Sequence, residues 1–232
     1  MIKYNKYTTM DEIPFHAYLI SSVTEVTITQ PLDVLKTIKQ NGMTPQYNLR
    51  SLYAGFAPRL YGNIPSLSMF LFSQSYIDSK LNMNKFHNKL FLPLIAGFTQ
   101  TIIDNPIEVV KINQIMNIKD YNFLRGFIPH YFKNVILIGS VYHSRKYAED
   151  NLHSTYTNFT GIIGAIGGLF GTYLSHPLDT IKTLQQSNKD YKQINFRHLL
   201  TGIHLRGLMN FLSFAVSLTV FDVIKEVKIP FE

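Results

Sequence analysis

Three hexapeptides in this 232-residue chain place an acid and a base three residues apart, just past a proline. They are Pro31-Leu-Asp33-Val-Leu-Lys36, Pro106-Ile-Glu108-Val-Val-Lys111 and Pro177-Leu-Asp179-Thr-Ile-Lys182. Residues three apart on a helix are neighbours, and one exposed pair of this kind contributes only about 0.3 kcal/mol. Three copies, with their prolines 75 and 71 residues apart, imply internal repeats. In a three-fold bundle each lysine can reach the acid of the next unit and close an ionic ring. Desolvation opposes attraction in a buried ring, so its net stabilisation is small. That suits a gate that breaks and reforms.

A second pattern follows each hexapeptide. It reads Leu52-Tyr-Ala-Gly55-Phe-Ala-Pro58-Arg59, then Phe123-Leu-Arg-Gly126-Phe-Ile-Pro129-His130, then Leu199-Leu-Thr-Gly202-Ile-His-Leu-Arg206. Four residues after the glycines stand Arg59, His130 and Arg206, and four further stand Asn63, Asn134 and Asn210. An offset of four keeps both sets on one helical face. Gly62, Lys133 and Met209 precede the asparagines. Asparagines are common in this composition, yet an amide left unpaired in an apolar setting is costly. A cavity lining is therefore expected for them. Arg59, Lys133 and Arg206 would give that cavity a positive field, with His130 as a neutral wall.

The elements that must carry these residues are long helices. Ile13 to Gln40, Leu90 to Met116 and Asn158 to Gln186 each enclose one of Pro31, Pro106 and Pro177. Proline removes a backbone donor and crowds the preceding turn, so each helix should kink there. Helices from about Pro58, Pro129 and Ile203 follow the glycines, and a short amphipathic helix is expected near Asn48 to Tyr53. Gly161, Gly164, Gly167, Gly168 and Gly171 read as a close-packing face. Asp, Glu, Lys and Arg are absent from Leu60 to Ile77, Leu90 to Ile103, Ser154 to Leu178 and Gly207 to Phe221. Such runs approach the ~20 residues that span a bilayer. Mean hydropathy is only +0.02, which a polar-lined channel would explain.

Composition narrows the function further. The absence of cysteine excludes disulfide and thiolate-metal chemistry. No phosphate-binding glycine loop, His-Glu-x-x-His or serine elbow occurs, so neither an enzyme nor a metal site is expected. The net charge of +7 fits a solvated basic surface or attraction to anionic ligands and lipids. A nucleic-acid-binding helical repeat would instead need basic residues gathered on one exposed face.

The tandem motif, Pro-x-acid-x-x-base and then an aromatic and basic approach to glycine, resembles that of the mitochondrial carrier family over essentially the whole chain. The resemblance implies an all-α membrane protein, one carrier domain over residues 1–232. Six transmembrane helices would form three pseudo-three-fold repeats, about 12–82, 88–151 and 157–228, each with a short matrix-side helix. It implies a monomer in the mitochondrial inner membrane, moving nucleotides by alternating access in exchange. Deoxynucleotides such as dATP, or ADP/ATP-like anions, are the expected cargo. A keto acid or carboxylate carrier, or a non-transporting adaptor, are the alternatives. Asp33, Lys36, Glu108, Lys111, Asp179 and Lys182 become the matrix gate, braced by Gln40 and Gln186, with Ile115 in the second unit. Arg59, Gly62, Asn63, His130, Lys133, Asn134, Arg206 and Asn210 become substrate contacts. Gly62 and Lys133-Asn134 depart from the pattern of nucleotide carriers. Gly55, Gly126 and Gly202, each before a helix N-terminus, would bind cardiolipin headgroups. A second, cytoplasmic gate survives only as Asp222 and Lys225.

Overall fold

A computed structural model describes residues 15–63, 65–66, 86–151, 157–190 and 194–213. Among them seven helices are bounded: α1 (Phe15–Gln40), α2 (Leu49–Leu52), α3 (Phe86–Met116), α4 (Phe127–Asn151), α5 (Thr157–Leu174), α6 (His176–Gln186) and α7 (Phe196–Leu199). Residues 56–63 and 203–213 are helical as well. No strand occurs among the described residues. Helix α4 packs along α3 and α5 and touches α6, while α1 meets α2, α3 and α6.

The expectation of six transmembrane helices is corrected by these elements. No described helix is long and apolar enough to cross a membrane, and the multi-pass membrane placement falls with it. The physical reason lies in how the helices spend their residues. Inward positions are polar: Thr29, Gln30, Asp33, Lys36 and Gln40 are all buried on α1. Apolar side chains such as Ile20, Val23, Phe91, Phe98, Ile166 and Phe170 point outward instead. The inward face of α1 is thus largely hydrophilic. The most apolar helix, α5, has only 18 residues. The charge-free runs beyond Leu60 and Gly207 fall mostly outside the described residues.

The third long helix also differs from expectation. Pro31 and Pro106 lie inside continuous helices. The segment expected from Asn158 to Gln186 is instead two helices, α5 and α6, separated at Ser175, with Pro177 in the first turn of α6. Proline disfavours helical geometry in the residue before it and fits a helix start well. Two backbone bonds, Ser175 N–H to Gly171 O and Asp179 N–H to Ser175 O, keep the halves linked.

Local endings repeat three-fold. Gly42, Asn117 and Asn188 have φ of 53–66° and stand six residues after the three hexapeptide lysines. Each closes its helix, as when the Met43, Ile118 and Lys189 N–H groups donate to Ile38, Asn113 and Leu184 carbonyls. Asn48 caps α2 and Asn195 caps α7. The second unit has no short helix here: residues 117–126 form turns held by an Asp120–Arg125 pair. Two of the five glycines, Gly167 and Gly171, pack closely against α4. A Cβ on Gly167 or Gly171 would lie 2.1 or 2.7 Å from Ser144 or Ser140 of α4.

Candidate functional site

Pro31, Pro106 and Pro177 bring their six charged followers to one level. Lys36 Nζ lies 3.0 Å from the Asp179 carboxylate, Lys111 Nζ 2.9 Å from Asp33, and Lys182 Nζ 2.5 Å from Glu108. These three contacts join all three units in a closed ring. Each lysine reaches the acid of the unit before it in the chain, with the first reaching the third, rather than the unit after. Lys36 also stays 3.4 Å from Asp33, and Lys111 pairs with Glu108 on its own helix. Asp33 and Asp179 side chains are 3% exposed and Glu108 is 22% exposed, so the ring is least sealed at Glu108.

Burial would raise the three carboxyls, but the surrounding cations outweigh it. Lys111, Lys36 and Arg59 hold Asp33 far below the carboxylate range. Lys111, Lys182 and Lys133 do the same for Glu108, and Arg206, Lys36, Lys133 and Lys182 for Asp179. Burial pulls Lys111 down, yet Asp33 and Glu108 prevail and hold it above the usual lysine range. The three ring carboxylates and Lys111 are therefore charged.

The glutamines behave differently from one another. Gln40 Nε2 donates to Asp179 at 3.2 Å and to Thr180 at 3.1 Å, directly beneath the Lys36–Asp179 pair. Gln186 Nε2 donates to Asn105 Oδ1 at 2.9 Å and to the Arg125 carbonyl. It stands away from the ring. Ile115 meets the Gly55 turn instead.

Gly55, Gly126 and Gly202 all have φ of 71–84°, a region only glycine enters freely. Their turns press against the next unit. A Cβ on Gly55 would sit 2.8 Å from Lys111 Cγ, on Gly126 3.0 Å from the Lys182 carbonyl, and on Gly202 3.3 Å from Lys36 Cγ. The glycines thus let each turn lie against a ring lysine. A further three-fold feature was missed by sequence reasoning. Gln30, Asn105 and His176 immediately precede the prolines, and each bonds the carbonyl just before a glycine. Gln30 donates to Ala54 O at 2.7 Å, Asn105 to Arg125 O at 3.1 Å, and His176 Nε2 lies 3.0 Å from Thr201 O. The signal was available as a polar residue at every position before proline, hidden because the residue types differ.

Of the cavity candidates, Arg59, Gly62, Asn63, His130 and Lys133 line one cavity of about 180 Å³, with Ser66, Gln100, Asp104, Ile107 and Glu108. Arg59 donates to Thr29 at 2.8 Å and Gln30 at 3.2 Å, and lies 3.7 Å from Asp33. Lys133 lies 3.7 Å from Asp179. Burial and Lys182 lower Lys133 to about 7. His130, bonded to Asn105 at 3.0 Å, is held well below the usual histidine range by burial and by Lys133, so it is neutral. Arg206 is buried near the ring, 3.9 Å from Asp179 and 3.1 Å from Ser175, and its Nη1 has no hydrogen-bond partner among the described residues.

The asparagines do not form one cavity ring. Asn134 donates to Thr101 at 3.0 Å and Asn210 to Thr172 at 2.5 Å. Val26 occupies the matching place in the first unit, and Asn63 lines the cavity instead. Gly62 packs against Ile107, where a Cβ would be 2.4 Å away. Asp222 and Lys225 lie outside the described residues. No group of three or more metal-binding side chains occurs among the described residues.

No protein-family model and no curated protein matches this chain.

Proposed function

We propose that this bundle binds a small organic anion, a nucleotide being the cargo that the repeated motif implies, and releases it by alternate opening and closing of the ionic ring. One observation carries the reading. Six basic side chains, Lys36, Arg59, Lys111, Lys133, Lys182 and Arg206, converge on the ring and cavity, against four carboxylates, Asp33, Asp104, Glu108 and Asp179. Buried charge that is not balanced is expensive. An anion supplies the missing negative charge, and the unpartnered Arg206 Nη1 is a donor in waiting.

Opening the ring breaks three ion pairs, and only a ligand that interacts more strongly with the opening state can offset that cost. The lysines and acids are then gate parts, while Arg59, Lys133 and Arg206 are anion contacts. The helix N-termini after Gly55, Gly126 and Gly202 offer N–H groups to an anionic headgroup such as that of cardiolipin.

Calorimetry with ADP, dATP and a dicarboxylate tests the reading. Binding should be lost or weakened at least tenfold in Arg59→Ala, Lys133→Ala and Arg206→Ala, each checked for folding by circular dichroism. Wild-type affinity in all three would remove these residues as the anion site.

A further inference from the structure

The three units are alike at the ring and unlike one turn away, at the cavity wall. Two residues before each proline stand Thr29, Asp104 and Ser175. In the first and third units this hydroxyl accepts from the arginine of the helix after the glycine: Arg59 to Thr29, Arg206 to Ser175. The second unit replaces the hydroxyl by a carboxylate and the arginine by His130, which turns to Asn105 instead. Asp104 therefore faces the cavity without the guanidinium that the pattern elsewhere provides.

Its surroundings come from every side. Gln100 and Glu108 lie one turn either way on α3, and both line the same cavity. His130 and Lys133 face it from α4, and Arg59 and Asn63 from residues 56–63. Ser66 hydrogen-bonds it, and Lys182 of α6 acts at longer range. His130 is neutral and Lys133 is shared with Asp179, so little firm positive charge is reserved for Asp104. An anion held by Arg59 and Lys133 would place a second negative charge in a cavity of about 180 Å³ that already contains two carboxylates.

We infer that Asp104 is a proton-accepting site, and that an anion enters this cavity together with one proton. The step is simple in its balance: the Asp104 carboxylate gains a solvent proton and becomes a carboxylic acid, with no bond of the ligand altered. Burial already pushes this carboxyl above its usual range, and Glu108 adds to the push, while Ser66, Lys133 and Lys182 oppose it. A further negative charge moves it the same way. Asp104 can then donate a hydrogen bond to the anion that it would otherwise repel. This rests on the anion-binding reading above.

Calorimetry of ADP binding at pH 7 in two buffers of different ionisation enthalpy measures the protons taken up. The wild-type protein should take up at least one proton per ADP, from Asp104 and in part from Lys133. Asp104→Asn should take up about one proton fewer, and Lys133→Arg, which keeps its charge at every working pH, should still take up about one. Uptake equal to wild type in Asp104→Asn, or none in Lys133→Arg, would assign the proton to Lys133 and overturn the inference. Binding by wild type without proton exchange would overturn it while leaving anion binding intact. Should ADP not bind, the anion-binding reading fails, and ligand-free unfolding decides for Asp104. The folded chain holds this proton to higher pH than the unfolded chain, whose carboxyl titrates near 3.8. Wild type should therefore lose stability relative to Asp104→Asn as pH rises from about 4 toward 7. Parallel curves would overturn the assignment.

Discussion

Each charge in the ring is tolerable only because of the others. Lys111 touches both Asp33 and Glu108, so its loss exposes two acids at once. Removing one partner of a buried pair costs about 3–5 kcal/mol, most of it from the charge left behind. Lys111→Met should accordingly lower unfolding free energy by about 3 kcal/mol at pH 7. The deficit should narrow on acidification, for two reasons of sign. In wild type, Asp33 and Glu108 are depressed, so their stabilisation exists above the ordinary 3.8 and 4.5 and is lost as pH falls below them. In the variant the unpaired acids take up protons earlier, which relieves the strain. Urea unfolding at pH 7, 5 and 3 checks this. A deficit independent of pH would mean that Lys111 contributes packing only.

The elements are shaped to hold those charges, and the glycine turns show how. Gly126 combines φ of +71° with a neighbour 3.0 Å from any added Cβ, in the backbone carbonyl of Lys182. Backbone cannot give way as a flexible side chain can. Gly42 has φ of +66° but only His198 nearby, at 3.8 Å. Gly42→Ala should thus cost only the left-handed strain, about 1 kcal/mol. Gly126→Ala should cost clearly more, about 2–3 kcal/mol, because it also separates α6 from the turn. Thermal unfolding of the two variants, compared at equal concentration, reads the difference. Equal losses would show that close approach of the turn to Lys182 is unimportant. The helix break at Ser175 belongs to this scale too. The same proline in three units gives two continuous helices and one divided one.

For the whole molecule, the ring ties three units that are otherwise joined by helix packing. Glu108 is both a ring member and part of the cavity wall; under the proposed gating, the three inter-unit contacts open together. Lys36→Gln, Lys111→Gln and Lys182→Gln combined should shift the population toward the opened ring. The chain lacks cysteine, so a single Ser187→Cys, buried at 3% exposure beside Asn41 where units one and three meet, reports the opening. Maleimide labelling should be slow in the parent and at least tenfold faster in the triple variant. Equal rates, with folding intact, would show that the ring does not hold this end closed.

Sequence alone was enough for the three-fold repetition, since hexapeptides of fixed composition recur at fixed spacing whatever the tertiary context. The acids, lysines and glycines could be named from it, because an i, i+3 pair after a proline and a glycine before a helix have local meaning. Tertiary structure decided the rest. Which unit each lysine serves depends on how units pack. Gln40 reaches Asp179 and Gln186 does not reach the ring, although both stand four residues after their lysines. Asn134 and Asn210 turn to threonines while Asn63 meets the cavity, because the first unit has Val26 at the matching position. The expected membrane spans failed for the same kind of reason. A charge-free stretch reports composition along the chain, whereas crossing a membrane depends on an uninterrupted helix of sufficient length and apolarity. Pro177 divided one such stretch.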